Sequence, residues 1–272
     1  MPSVHSEQLQ AESRELAALF AKPARFVRAL DFHFEKYGNR AKRQGAKRRN
    51  SSLLQFYDVP DPVMRQLRQE LFPLVQEKPT EGLELIDALW ERRTREHREL
   101  AAYLLGQLPE KKFRNVRARI QRWNGENREE AMIRAIARLG SHNMLQRAPL
   151  ELLPLCKTLL RSGDIRQRAS GLLILKSLIE EGEMDNLPAI LDMMTPLYRK
   201  PVKSLRPFLL ETIESLIKRS PGEALYFLQQ RLTESKAKGT HWLAKQAMKA
   251  FGQHEARLLA ESLAEFEAIR KD

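Results

Sequence analysis

A short tetrad that recurs along the chain constrains the fold more than any other feature. Four copies end in alanine, RELA at 98–101, REEA at 128–131, RQRA at 166–169 and HWLA at 241–244, and LRPF at 205–208 has the same phase. Their last residues are separated by 30, 38, 39 and 36 positions. Repeats of this length are typical of HEAT and armadillo arrays, in which each helix pair buries its face against its neighbours.

The apolar residues outside these tetrads also follow the helical period. Leu83, Ile86, Leu89 and Trp90 recur at intervals of three and four, and no segment shows the alternation of a convincing strand. We therefore expect an all-α fold, a curved HEAT-like (ARM-type) solenoid that forms a single domain over residues 1–272. A plain helical bundle is the alternative.

The charge balance points to an acidic partner. Lys and Arg number 47 against 35 Asp and Glu, which gives a net charge of +12 and a field that attracts phosphate. The single cysteine, Cys156, lies in an apolar run, reads as a small buried hydrophobe and fits a reducing compartment. No window approaches the roughly 20 apolar residues that span a bilayer. We expect a cytoplasmic monomer, nucleoid-associated if the source is bacterial.

Basic residues concentrate in three segments. The first, YGNRAKRQGAKRRN at 37–50, contains no acid and lies between a helix that ends near Lys36 and one that starts at Asp61. The second is 109–128 and the third is 198–206. On successive layers of one stack these segments would form a track for a phosphate backbone, with 37–50 as a flexible arm. The alternative is that they are solvated faces of a basic protein.

The sequence lacks the motifs of several common classes of enzyme. HExxH, CxxC, GxSxG, P-loop and GxGxxG motifs do not occur, and the six histidines lack metal-ligand spacing, so we expect no metal and no cofactor. Trp90 and Trp242 are assigned to the core. Trp123 could be either a core residue or a groove contact.

Several stretches, read in order, resemble the AlkD-like DNA alkylation-repair family of HEAT-like-repeat glycosylases. They are FYDVPDPVMRQLRQEL (56–71), LIDALWERRTREHRELAAYLL (85–105), SGDIRQRASGLLIL (162–175), FLLETIESLIKRSPGEALYFL (208–228) and THWLAKQAMKAF (240–251). The resemblance implies binding of duplex DNA in a concave groove. In the active members it also implies hydrolysis of the N-glycosidic bond of positively charged alkylpurines.

The resemblance further implies where catalytic residues would lie. Active members carry a pattern like NWDLVD, which falls on residues 127–132 and puts Arg128 in place of the tryptophan and Met132 in place of the catalytic aspartate. A second groove tryptophan is replaced by Ser215, and a WxRR signature keeps Arg168. A thioether cannot balance the charge of an oxocarbenium ion, so these changes favour a scaffold that has lost the chemistry.

The leading hypothesis is a DNA-binding AlkD-like protein without catalytic residues that contacts the phosphates of duplex or branched DNA. The residues assigned to DNA are Arg40, Lys42, Arg43, Lys47, Arg48, Arg49, Lys111, Lys112, Arg114, Arg117, Arg128, Arg168, Arg199, Lys200 and Lys203. One alternative is an active alkylpurine glycosylase with a relocated carboxylate at Glu129, Glu130 or Glu214. Another is a protein-binding HEAT scaffold.

Overall fold

The described part of the chain is helical throughout and forms two compact units. The computed structural model describes residues 6–39, 54–126, 129–181, 187–235 and 237–269. Within these ranges no strand occurs, and the only β-type pairing is an isolated bridge between Gln55 and Thr94. The all-α prediction is therefore confirmed. The units are Met1–Arg147 and Ala148–Asp272, and the expectation of a single domain over residues 1–272 stays a prediction.

The first unit contains eight helices in the described ranges. They are α1 (Ser6–Ala17), α2 (Pro23–Tyr37), α3 (Asp61–Glu77), α4 (Pro79–Glu91), α5 (Arg95–Gly106), α6 (Phe113–Glu126), α7 (Glu130–Leu139) and α8 (His142–Arg147). Proline occupies the first helical position of α2 and α4, where its missing N–H would have had no partner in the helix. A 3-10 turn at Glu110–Lys112 leads into α6.

Close packing of α4, α5 and α7 positions the motif region of the first unit. α5 packs against both α4 and α7. Its last residue, Gly106, approaches the end of α7 so closely that an added Cβ would lie 1.7 Å from the carbonyl oxygen of Leu139. Only glycine fits this crossing, because any side chain would push the two helices apart.

The second unit repeats the alternation of packed helices. It contains α9 (Leu152–Arg161), α10 (Ile165–Glu181), α11 (Leu187–Arg199), α12 (Arg206–Arg219), α13 (Pro221–Glu234), α14 (Lys238–Ala247) and α15 (Gln253–Ile269). α10 packs on α9 and α12, and α12 packs in turn on α13 and α14. α11 packs on α13 and α14, and α13 packs on α15. Cys156 on α9 is fully buried, as its apolar surroundings predicted.

The last residue of each recurrent tetrad lies within the first two turns of a helix. They fall on α5, α7, α10, α12 and α14. Ala101, Ala169, Phe208 and Ala244, which end four of the tetrads, are buried. Ala131 is the exception because it is exposed.

The exception at Ala131 corrects the predicted register by one residue. Met132, the next residue along α7, is only 1% exposed and takes the buried place in this layer. The interval of 30 residues before Ala131, shorter than the others, agrees with this shift.

Candidate nucleic-acid interface

Cationic side chains gather where α2, α4 and α6 begin. Lys22 and Lys78 each precede the first proline of a helix, with similar backbone angles (φ −127°, ψ 71° and φ −121°, ψ 62°). The side chain of Phe20 lies 3.6 Å from where a Cβ on Gly82 would be, so the first turn of α4 lies beside the chain that enters α2. The ammonium group of Lys112 donates a hydrogen bond to Thr80 Oγ1 at 3.1 Å and joins α6 to this edge.

Three of the predicted DNA contacts, Lys111, Lys112 and Arg114, lie on this edge. Lys111 and Arg114 are exposed and Lys112 is partly exposed. None of the three has a carboxylate partner among the residues that the structure describes. Glu77 and Glu81 share the notch with Lys78, Lys111 and Lys112, so cations exceed acids there by a small margin.

Farther along α6, basic residues are neutralised by acids. Arg119 binds Asp87 through both Nε, at 2.9 Å, and Nη2, at 2.5 Å. Arg122 lies 3.2 Å from the same carboxylate and 3.7 Å from Glu126. Arg117 is partly exposed. The charge excess of this segment is thus concentrated at the start of the helix.

The basic arm lies mostly outside the described residues, but both of its ends are held by the first unit. Arg40, Lys42, Arg43, Lys47, Arg48, Arg49 and also Arg128 lie outside the described ranges. On one side, Asn39 donates its backbone N–H to the carbonyl of Asp58. On the other, Leu54 donates its backbone N–H to Glu129 Oε1 at 2.5 Å. The segment that carries the six basic residues is therefore tethered at two points close to α2 and α7.

Buried polar groups fix the segment that follows the arm. Glu96, almost fully buried, accepts the backbone N–H groups of Tyr57 at 2.9 Å and Asp58 at 2.8 Å through Oε1. Burial raises the pKa of the Glu96 carboxyl, and these two N–H groups oppose that shift. The Tyr57 hydroxyl donates to Asp31 Oδ1 at 3.1 Å, and Asp31 also pairs with Arg92. The segment at Tyr57 and Asp58 is therefore attached to both α2 and α5.

His97 completes this buried cluster in its neutral form. Its Nδ1 lies 2.5 Å from Thr94 Oγ1, and its Nε2 lies 3.4 Å from Asp31 Oδ1. Phe34 meets the imidazole edge-on at 5.0 Å between ring centroids. Burial lowers the pKa of His97 to about 4, although the Asp31 charge opposes the shift and Arg92 reinforces it.

We expect the buried His97 to make stability fall with acidification. The unfolded chain takes up a proton near pH 6.5 while the folded imidazole stays neutral until about pH 4, so stability is lost as pH falls through this window. At pH 5 the loss from this group is about 2 kcal/mol relative to pH 7.5. Urea unfolding at both pH values measures the loss, and the His97→Gln variant should show less of it. An imidazole that titrates near pH 6.5 by NMR would contradict the assignment.

The described positions aligned with the family's catalytic pattern make contacts within the first unit. Met132 is buried in the core of its layer. Glu129 is committed to Leu54, and the exposed Glu130 pairs with Arg134 at 2.9 Å, one turn along α7. Both carboxylates are therefore already engaged by partners within the first unit.

The tryptophan assignments are partly confirmed. Trp90 and Trp123 are buried and stack face to face, with centroids 4.0 Å apart and planes 6° apart. Trp123 is thus a core residue. Trp242 is only half-buried and carries the Arg206 guanidinium 5.2 Å from its ring centroid, so its assignment to the core was wrong. A ring on the partly exposed side of α14 can be covered by a long side chain instead of a helix.

In the second unit the four predicted DNA contacts differ in their exposure and in their partners. Arg168 is partly exposed and donates to the carbonyl of Ser162 at 2.5 Å. Arg199 is bound by Glu234 at 2.6 and 2.9 Å. Lys200 and Lys203 are exposed and have no carboxylate partner among the described residues. This segment therefore presents fewer free cations than its sequence implied.

The remaining positions taken from the resemblance, Ser215 and Glu214, lie on α12. Ser215 is buried and donates its hydroxyl to Glu180 at 2.7 Å. Glu214 is half-buried, and its charge adds to the effect of burial in raising the pKa of the Tyr198 hydroxyl. The Tyr198 hydroxyl donates to the carbonyl of Leu209.

The sequence analysis did not identify Glu96 and Asp31, which hold the segment at Tyr57 and Asp58 in place. Glu96 and Asp31 act on backbone and side chains distant in sequence, and no local pattern marks such contacts. Lys22 and Lys78 could have been found, because each stands before a proline that begins a helix.

No helix in the described ranges is long and apolar enough to cross a membrane. The same residues contain no cluster of three or more His, Cys, Asp or Glu side chains that could hold a metal ion.

Comparison with known families agrees with this helical architecture. A family model described as DNA alkylation repair enzyme matches residues 30–197, more than half of the 272 residues, from α2 to α11. No curated protein shows a significant match to the chain. The resemblance inferred from the motifs is confirmed. The chain belongs to the DNA alkylation repair enzyme family, with a function related to DNA repair.

Proposed function

We propose that the protein binds duplex or branched DNA through its phosphate backbone and does not hydrolyse glycosidic bonds. The first unit supplies the main contacts, Lys111, Lys112 and Arg114, together with the tethered basic arm. Such contacts position a protein on DNA and carry little sequence information, so selectivity for sequence is low. The protein acts as a monomer in the compartment that holds the DNA, the cytoplasm if the source is bacterial.

The observation that carries this proposal is the set of cations without a described carboxylate partner at the start of α6. Lysine or arginine at the start of a helix is disfavoured by the helix dipole, which prefers acids there. Lys111 and Lys112 nevertheless occur in this place and share a notch with Lys78, and Arg114 follows as the second residue of α6. The exposed N–H groups of a helix start and nearby cations attract the same ligand, a phosphate. An anionic partner would offset the unfavourable placement.

The proposal that catalysis is absent is supported by the surroundings of each candidate carboxylate. Glycosylase chemistry of this kind needs a carboxylate held near the sugar as positive charge develops. Glu129 is used to hold Leu54, Glu130 is held by Arg134, and Glu214 lies beside Tyr198. A misplacement of about an ångström already costs on the order of a hundredfold in rate, so incidental proximity would not restore activity.

Fluorescence anisotropy of labelled linear duplex and four-way-junction DNA, across a salt series, tests the binding proposal. We expect affinity to fall steeply with salt, because each neutralised phosphate releases counterions. Tighter binding to the junction would identify branched DNA as the preferred form. Weak, shape-independent binding no stronger than that of an unrelated protein of charge +12 would contradict the proposal.

A base-release assay on methylated DNA tests the absence of glycosylase activity. We expect the wild type to release 3-methyladenine and 7-methylguanine no faster than buffer, with mildly heated DNA as the positive control for detection. If the wild type does release a base, Glu129→Gln, Glu130→Gln and Glu214→Gln locate the carboxylate. Glu129→Gln keeps a carbonyl oxygen for the Leu54 N–H, so loss of release in it would reflect chemistry, not a lost tether.

A further inference from the structure

A groove of about 920 Å³ lies between α9 and α11 in the second unit. α9 packs mainly on α10, whereas α11 packs mainly on α13 and α14, so the sides that α9 and α11 turn toward the groove are left open. Helices of 10 and 13 residues are about 15 and 20 Å long, so the groove has the length of about three helical turns.

The floor of the groove is apolar and follows helical spacing on both walls. Leu153 and Leu160 lie seven residues apart on α9, and Ala189, Met193 and Pro196 lie on one face of α11. Ala189 and Met193 are only partly buried, and Pro196 is exposed. An apolar face at this period is normally covered by another helix.

The rim of the groove is basic. Lys157 and Arg161 are exposed and lie one turn apart on α9, and Arg168 and Lys200 line the same cavity. Among the residues that the structure describes, Asp192 is the one acid that lines it. Arg168 and Lys200 were predicted from the sequence to contact DNA, but here they border an apolar surface.

We propose that this groove binds an acidic amphipathic helix of a partner protein. The partner would place its apolar residues at positions i, i+3, i+4 and i+7 on the floor and its carboxylates against the four rim cations. Burial of the apolar anchors supplies most of the affinity, and the charges supply selectivity and rate of association.

Charge and shape distinguish this occupant from the other candidates. A DNA backbone would satisfy the cations but leave the apolar floor facing phosphates and water. A second copy of this chain, with its net charge of +12, would bring like charge to the rim. An acidic helix matches both the floor and the rim.

A displayed library of acidic helices, with varied apolar residues at i, i+3, i+4 and i+7, tests the proposal against the full chain. The best peptides are then labelled and measured by anisotropy against three variants. Met193→Glu places an acid on the floor, and Lys157→Glu/Arg161→Glu reverses two exposed rim charges without touching the core. Lys245→Glu/Lys249→Glu is the matched control, since it also reverses two exposed cations four residues apart in the same unit.

We expect peptide affinity to fall at least about tenfold in both groove variants and to stay unchanged in the control. A scrambled peptide of the same composition should bind weakly. The proposal is overturned if no helix binds, or if the control variant loses as much affinity as the groove variants. It is also overturned if duplex DNA competes with the peptides and binds the groove variants as weakly as the peptides do. Self-association of the wild type in sedimentation that the groove variants abolish would overturn it as well.

Discussion

Reversal of Lys111, Lys112 and Arg114 to glutamate should weaken binding to duplex DNA about a hundredfold at 0.1 M salt. Three phosphate contacts are lost and three repulsions are added at one edge of the first unit. The slope of log affinity against log salt should become shallower by about three, since each phosphate contact contributes close to one. Fluorescence anisotropy over a salt series measures both quantities.

The control for this experiment separates a local track from general attraction by a basic protein. Lys245→Glu/Lys249→Glu/Arg257→Glu changes the net charge equally, and all three side chains are exposed. If DNA senses only net charge, the two triple variants will weaken binding to the same extent. An unchanged affinity in the first variant would refute the proposed contacts at the start of α6.

The repeat pattern predicted the fold because helical periodicity is a local property. Three tetrads end at Ala101, Ala169 and Ala244, within the first two turns of their helices, and all three alanines are buried. The shift from Ala131 to Met132 could not be predicted, because a buried position is set by how α7 meets α5 at Gly106. A one-residue shift of this kind leaves the local sequence pattern almost unchanged.

The candidate site was less predictable because charge alone does not say which charges pair. Arg119 and Arg199 looked equivalent to Lys111 in the sequence, yet Asp87 and Glu234 lie 32 and 35 residues away and neutralise them in the fold. Glu129 looked like a spare carboxylate, but it holds a backbone N–H 75 residues upstream. These contacts depend on the packing of whole helices, which no local pattern contains.

Substitution of Trp123 by alanine should cost the first unit about 3–5 kcal/mol of unfolding free energy. The indole is fully buried and stacks on Trp90, whose Nε1 donates to Glu126 at 3.2 Å. Removal of the ring leaves a large cavity and ends the stacking contact. Urea unfolding, followed by a probe in the first unit, measures the change.

The milder variant Trp123→Phe distinguishes this core role from a contact with DNA. Phenylalanine keeps an aromatic ring against Trp90 and removes the indole N–H, which is buried without a partner among the described residues. We expect a smaller loss of stability, about 1–2 kcal/mol, and DNA affinity within twofold of the wild type. A tryptophan that stacked on a base would lose about 1–3 kcal/mol of binding free energy on removal. A large loss of DNA affinity with unchanged stability would therefore place Trp123 in contact with DNA. The buried stack predicts a loss of stability with nearly unchanged DNA affinity.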